Sequence, residues 1–520
     1  MPSARTHVPV VDLFAGPGGL GEGFSALDHE RVQFDVLLSV EKDSAAHKTL
    51  LLRSFFRQFS AIPPEYYEYL KGGRSAEELF RAFPDEAATA RARCLHLEMG
   101  PRTTKRVYGH IERALGNAKA WVLVGGPPCQ AYSVVGRSRF ARLGRSVLED
   151  KDMQVLYREY LRILARYKPP LFVMENVKGL LSAKFAGTST FKRIISDLSS
   201  PSVAVREAAN GRKPRTRRGS EYKILSFTSP TTSPDHLRPE DYLIAAEDFG
   251  VPQKRHRVIL LGIRSDPVVP GGVALYRSPA PTVGDVLADL PLVRSQLSQE
   301  KDDADAWTGA IRRVVRDFQP KDFDNDVLRK MLSAVKCLRS TAGIGGRWVA
   351  KTGGACLPQT GLTEWIIDPV MDFAVNHETR KHIPEDLLRY LFVSSYARVN
   401  HASPKLHSFP AELLPNHKNV ADTLRHRHGY FTDRFPVQVE DQPATTVTCY
   451  ICKDGHSFIH HDPTQCRSST VREAARVQTA RAGCRVVLIN WIIDRDDCEA
   501  LAAWARLGLV WIRGPQDGRR

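Results

Sequence analysis

Val8–Phe14 reads VPVVDLF and runs without a break into AGPGGLGEGF, Ala15–Phe24. An apolar run of this length reads as a buried strand, the glycines as a tight turn, and the residues beyond them as the start of a helix. Working outward, VLLSVE closes a second strand at Glu41, and AAHKTLLLRSFF follows with helical periodicity. WVLVGGPPCQ, Trp121–Gln130, repeats the strand-and-turn unit. LYREYLRILARY predicts a helix, which Pro169 and Pro170 stop before the strand LFVMEN. KRHRVILLGIR contributes one more buried strand. This alternation predicts an α/β fold, an open, doubly wound sheet with a largely parallel core and with its ligands at the strand ends.

At 520 residues the chain exceeds what one ordinary core accommodates. Its 42% apolar and 25% charged residues are globular in balance and exclude wholesale disorder. No apolar run approaches the roughly eighteen residues of a membrane span. The opening MPSARTHVPVVDLFAG lacks the apolar core and cleavage site of a signal peptide. Nine cysteines, odd in number and irregularly spaced, make no disulfide framework and point to the reducing cytoplasm. Lys plus Arg outnumber Asp plus Glu by 74 to 58, a net +16 that favours a polyanion, most simply nucleic acid.

The regular pattern stops after about Pro291. From there to about residue 440 the chain is rich in Gly, Pro, His and Arg with short apolar runs, and reads as a second, irregular domain inserted into the first. QPATTVTCYICKDGHSFIH, from Gln442, looks like strands returning to the main body. The expected divisions are 1–290, 291–440, 441–480 and 481–520. Arg212–Arg218, RKPRTRR, is either a solvated loop or one that contacts phosphates.

Several strand ends carry reactive residue types. Gly16-x-Gly18-x-x-Gly21 followed by Glu41 matches a dinucleotide fingerprint and serves equally for any adenosine-containing cofactor. In Gly125-Gly126-Pro127-Pro128-Cys129-Gln130 a rigid turn presents one cysteine, a candidate thiolate nucleophile. Glu175 in Glu175-Asn176-Val177 is either a solvated strand end or a carboxyl kept protonated as an acid. Alternation puts Gln253, Arg255 and Arg257 on one side of their strand, as a clamp for an anion or polar base or as a salt-bridge stripe. Cys449-x-x-Cys452 with His460, His461 and Cys466 invites a zinc reading, but the paired histidines lack the usual spacing. Tyr396–His401, YARVNH, is a further nucleic-acid candidate or a plain polar loop.

The order of these segments resembles the C5 DNA cytosine methyltransferases of bacterial restriction–modification systems. DLFAGPGGLGEGF, VEKD, GGPPCQAYS, ENV, QKRHRV and, from Thr470, TVREAARVQT look like that family's successive motifs. The resemblance covers about residues 8–265 and 440–479. It implies a Rossmann-like methyltransferase fold with S-adenosylmethionine in place of a nicotinamide, and a middle region that recognises the target in double-stranded DNA. It further implies that a flipped cytosine is attacked at C6 by Cys129. Glu175 acts at N3, Arg257 holds O2, and Arg255 supports the cluster. Phe14, Gly16 and Gly18 line the cofactor and Glu41 holds its ribose. No metal is required. A cognate restriction endonuclease, a monomeric state, a cytoplasmic location beside the nucleoid and no membrane contact complete the expectation. Structured RNA as substrate and a dehydrogenase are the weaker readings.

The resemblance ends at Gln478. TARAGCR and the residues to Arg520 replace the family's last, cofactor-closing motif, either as a substitute element or as the translation of a shifted frame. A catalytically impaired DNA-binding remnant is therefore the alternative expectation.

Overall fold

The computed structural model describes residues 6–27, 32–128, 152–185, 188–210, 220–231, 233–265, 274–299, 301–321, 323–338, 342–351, 361–415, 434–448, 451 and 455–480. These residues form two compact units. One holds the described chain to Pro63 together with Ala76–Pro279; the other holds Pro64–Ser75 and the described chain from Ala280 to Ala480. The segment 441–480 is counted with the second unit.

The first unit is built on an eight-stranded sheet. Its strands are β1 (Thr6–Leu13), β2 (Val32–Glu41), β3 (Cys94–His96), β4 (Val122–Gly125), β5 (Leu171–Val177), β6 (Tyr222–Leu225), β7 (Leu243–Ala245) and β8 (His256–Arg264). They lie in the order β3-β2-β1-β4-β5-β8-β6, with β7 also paired to β8. The first five are mutually parallel, whereas β8 runs antiparallel to β5, β6 and β7. Chain order reverses between β1 and β4, the switch point at which such sheets open a crevice beyond their carboxyl ends.

Both faces of this sheet are covered, which explains why its strands read as unbroken apolar runs. Val11, Leu13, Leu123, Phe172, Met174 and Leu260 pack on one face with Val107 and Ile111 of the helix Thr104–Leu115 and Tyr160 and Leu164 of the helix Asp152–Tyr167. Val10, Val36, Val124, Val173 and Ile259 pack on the other, under Leu20 of α1 (Gly19–Ser25) and Leu27.

The second unit departs from the irregular reading. Helices Ala304–Asp317, Asn325–Lys336 and Pro384–Asn400 close around Trp307, Ile311, Met331, Leu387, Tyr390 and Leu391. Their outer faces are so rich in Arg and Asp, as in AIRRVVRD of Ala310–Asp317, that the narrow apolar stripe was obscured. Tyr396–Asn400 is the last turn of one of these helices, not a loop, and His401 caps it with φ 51°. Strands Gly345–Ala350 and Phe373–Glu378 form an antiparallel pair beside them.

The helix Val471–Val477 shows why TVREAARVQT is written as it is. Thr470 accepts the Glu473 amide and Glu473 accepts the Thr470 amide, a reciprocal cap. The Arg472 guanidinium donates to the Val375 carbonyl at 2.8 Å. Arg476 donates to Asp289, whose carboxyl burial pushes up but Arg476 and Lys351 together hold below the usual range. Each charge in this helix has a buried partner.

Candidate functional site

Val40, Leu13, Gly125 and Met174 stand side by side in one row across β2, β1, β4 and β5. One residue further along each strand come Glu41, Phe14, Gly126 and Glu175. Four sequence-separated segments therefore open on one edge because parallel strands of matched register end together.

At the β1 end the backbone enters the left-handed region at Phe14 (φ 58°), Gly16 (55°) and Gly18 (88°) before α1 begins. Gly18 is doubly required there, since a Cβ would sit 2.7 Å from Leu50 Cδ1. Glu41 ties this turn to β2. Its Oε2 accepts the Gly16 amide at 2.7 Å and its Oε1 the Asp43 amide at 2.6 Å. The Ala15 amide adds a bond to the Val40 carbonyl at 3.0 Å. Asp43 then caps α2 (Ser44–Phe56) by accepting the Ala46 amide. Phe14, Gly16, Gly18 and Glu41 are thus gathered as the sequence suggested. Glu41 places a carboxylate acceptor at the strand end, and the glycine turn lets a ligand approach main chain, so the set fits the ribose end of an adenosine cofactor.

Beneath the turn lies a residue that the sequence reading passed over. Asp12 is fully buried in β1, and burial pushes its carboxyl up to about 7, against opposing effects of Arg57 and the Gly21 amide. Among the described residues no hydrogen bond of normal geometry reaches either oxygen. Its only sequence signal was one charge inside an otherwise apolar strand.

At the β5 end, Glu175 meets Arg257 of β8 across a diagonal of the antiparallel pair, in which Val177 faces Arg257 and Ile259 faces Glu175. Arg257 Nε lies 3.0 Å from Glu175 Oε1, with both side chains about nine-tenths buried. Glu175 Oε2 lies 2.9 Å from where a Cβ on Gly126 would stand, so only glycine admits the carboxyl beside that turn. Asn176, on the opposite face, donates to the Pro127 carbonyl at 3.3 Å and accepts the Val177 amide. It pins the turn whose next residues carry Cys129, and sequence reasoning had named it only as Glu175's neighbour. Cys129 itself lies outside the described residues.

The segment before β8 alternates as expected: Gln253, Arg255 and Arg257 are buried, whereas Lys254 is exposed and His256 half-buried. His256 is bound to Glu247 at 2.7 Å. The Gln253 side-chain amide has no hydrogen-bond partner among the described residues. Its donors and acceptor, a guanidinium and a carboxyl together form a set suited to a polar heterocycle.

The residues of the zinc reading are placed otherwise where they are described. His460 and His461 stack on each other with ring centroids 4.3 Å apart, and His460 faces Glu473 at 3.5 Å. Cys466 is buried, its thiol bonded to the Pro463 carbonyl and pushed up by burial. Cys449 and Cys452 lie outside the described residues, as do Arg212–Arg218 and the tail 481–520. No helix among the described residues is long and apolar enough to cross a membrane.

The model of the C-5 cytosine-specific DNA methylase family matches residues 110–202 and 240–341, which include Cys129, Glu175, Arg255 and Arg257. The type II methyltransferase M.Bpa9945I of Bacillus paralicheniformis is 29% identical over 493 residues, 90% of each chain. M.AgeI of Thalassovita gelatinovora is 24% identical, again over 90% of each chain. The DNA (cytosine-5-)-methyltransferase M.ApeKI of Aeropyrum pernix is 31% identical over 29% of each chain.

Proposed function

The chain belongs to the C-5 cytosine-specific DNA methylases, and from that premise we propose that Cys129, Glu175, Arg255 and Arg257 carry out its methylation of cytosine in duplex DNA. The reaction is that of a DNA (cytosine-5-)-methyltransferase. The observation that supports this site most directly is the buried Glu175–Arg257 pair beside Gly126, three residues before Cys129.

The roles follow from the chemistry of the base. Cytosine C5 is a poor nucleophile until a thiolate adds to C6, and Cys129 supplies that thiolate. Addition places charge on the ring, which Glu175 relieves through a hydrogen bond to N3. Arg257 orients Glu175 and donates to the ring O2, and Arg255 supports it from within the core. Loss of the C5 proton and elimination of the thiolate then restore the aromatic ring. S-adenosylmethionine, when bound, supplies an electrophilic methyl group. Phe14, Gly16 and Gly18 shape its pocket, while Glu41 accepts its ribose hydroxyls and fixes the turn. The region 291–440 reads the target sequence. The chain works as a cytoplasmic monomer at the nucleoid, protecting DNA from a cognate restriction endonuclease.

The test is transfer of radiolabel from S-adenosylmethionine to unmethylated duplex DNA by the wild type and by Cys129→Ser. Incorporation by the wild type alone supports the assignment. Equal incorporation by Cys129→Ser refutes it. No incorporation by folded wild type that still binds DNA marks an impaired remnant instead.

A further inference from the structure

Three carboxyls are buried around the glycine turn that leads into α1: Asp12 of β1, Glu22 of α1 and Glu41 of β2. Glu41 accepts the Gly16 and Asp43 amides, and Glu22 faces Arg57 Nη1 at 3.5 Å. Asp12 stands apart, since among the described residues no hydrogen bond of normal geometry reaches its oxygens. Leaving a buried polar group in that state costs stability, so a fold that keeps one calls for an explanation. We propose that Asp12 answers the charge of S-adenosylmethionine: its carboxyl holds a proton before the cofactor binds and gives it up to solvent once the sulfonium cation lies at the turn. The inference rests on the cofactor reading given above.

Strand alternation sets the direction of the side chain. Val11 and Leu13 pack on the face that carries Tyr160, so Asp12 and Val10 point to the opposite face, under α1. There the third glycine of the turn comes down onto the carboxyl. A Cβ on Gly21 would stand 3.2 Å from Asp12 Oδ2 and 3.5 Å from Arg57 Nη1. The same turn is tied to Glu41 through the Gly16 amide at 2.7 Å. A ribose held by Glu41 carries the sulfonium sulfur on its 5′ carbon, one bond from the sugar. The cation therefore stays close to the turn under which Asp12 is buried.

The surroundings give that charge leverage. Burial pushes the Asp12 carboxyl up, Arg57 and the Gly21 amide oppose, and Glu41 adds to the rise, with the balance at about 7. Glu22 of α1, Cys94 of β3 and Tyr160 across the sheet are the other titratable groups around it. Burial pushes the Cys94 thiol and the Tyr160 phenol up, and Asp12 adds to both, so neither supplies a charge near neutral pH. Arg53 of α2 is a second cation by the turn, its Cδ 3.8 Å from where a Cβ on Gly18 would stand. One more positive charge brought into such a water-excluded place favours the ionised carboxyl by about tenfold or more. The sulfur is cationic before methyl transfer and a neutral thioether afterwards. Asp12 thus separates the cofactor from its spent product by charge, and the proton it exchanges records which is bound.

The experiment is calorimetric titration of the full chain with S-adenosylmethionine and, separately, with S-adenosylhomocysteine, each in two buffers of different ionisation enthalpy. At pH 7 the first ligand should release about half a proton and the second much less. Ionised Asp12 is the form that favours the cation, so affinity for S-adenosylmethionine should rise by up to about tenfold from about pH 5.5 to 7.5 and level off above. Asp12→Asn keeps the shape and is permanently uncharged. At pH 8 it should bind S-adenosylmethionine about tenfold more weakly, without the pH slope, and S-adenosylhomocysteine almost as the wild type does. Equal proton release with both ligands, or release unchanged in Asp12→Asn, overturns the role of Asp12 and leaves the cofactor reading standing. No binding of either ligand by the folded wild type removes both.

Discussion

Asp12 in β1 and Glu473 in the helix Val471–Val477 are both enclosed by protein, 0% and 2% exposed, yet they behave as opposites. Around Glu473 the Arg467 guanidinium forms two parallel bonds, of 2.5 Å to Oε1 and 2.7 Å to Oε2. Burial pushes this carboxyl up, but Arg467 and the nearby His460 outweigh it and hold the group far below the usual range. Around Asp12 the nearest cation, Arg57, lies 3.5 Å from another carboxylate, Glu22, so burial wins and the proton stays until about pH 7. Desolvation by itself therefore does not decide ionisation. A bidentate partner does. Glu175 is a third case, with Arg257 Nε 3.0 Å from its Oε1 and a backbone turn beside it.

That comparison can be broken most severely at the working carboxyl. Glu175→Gln keeps the shape and removes the exchangeable acid, so methyl transfer should fall by about 10²- to 10⁴-fold with the urea midpoint unchanged. A drop below tenfold would remove Glu175 from the mechanism. Next, Arg467→Met leaves Glu473 buried without its partner, and equilibrium unfolding should show a loss of about 3–5 kcal/mol.

A pH series sharpens the contrast further. Asp12 holds its proton to about pH 7 when folded, against 3.8 for the ordinary group. Unfolding in that interval releases a proton, so stability falls as pH rises from about 4 to 7, by at most about 4 kcal/mol, and is level above. Glu473 acts with the other sign: its contribution is full above the ordinary carboxylate range and is lost as pH falls through and below it. Asp12→Asn should flatten the first slope and leave the acid limb in place, as read from urea midpoints across pH 3–9. A slope unchanged in Asp12→Asn would assign it to another group. The smallest effect is expected at Thr470→Ala, which removes half of the reciprocal cap around Glu473 and should cost about 1 kcal/mol.

How much of this was legible beforehand varied by residue. Phe14, Gly16, Gly18 and Glu41 were read together, and Gly16 does bind Glu41. Gln253, Arg255 and Arg257 were placed on one side by alternation, and all three are buried. By contrast, the helices at Ala304–Asp317 and Asn325–Lys336 were missed because charged outer faces masked a narrow apolar stripe. Tyr390 stands between His382 and His456, the latter 66 positions further along the chain, and no spacing rule connects them.

The sequence by itself determined four of the five strands of the parallel sheet and the residues at their ends, because periodicity, glycine turns and proline stops act between consecutive residues; the three-residue strand Cys94–His96 is too short to show such a pattern. Only the tertiary structure decided that β8 runs antiparallel to β5 and so carries Arg257 to Glu175. It alone decided that Glu473 is paired while Asp12 is not, and that two histidines share one phenol. Those outcomes depend on which distant side chain arrives within about 3 Å, and the energy of a buried polar group is set by that partner.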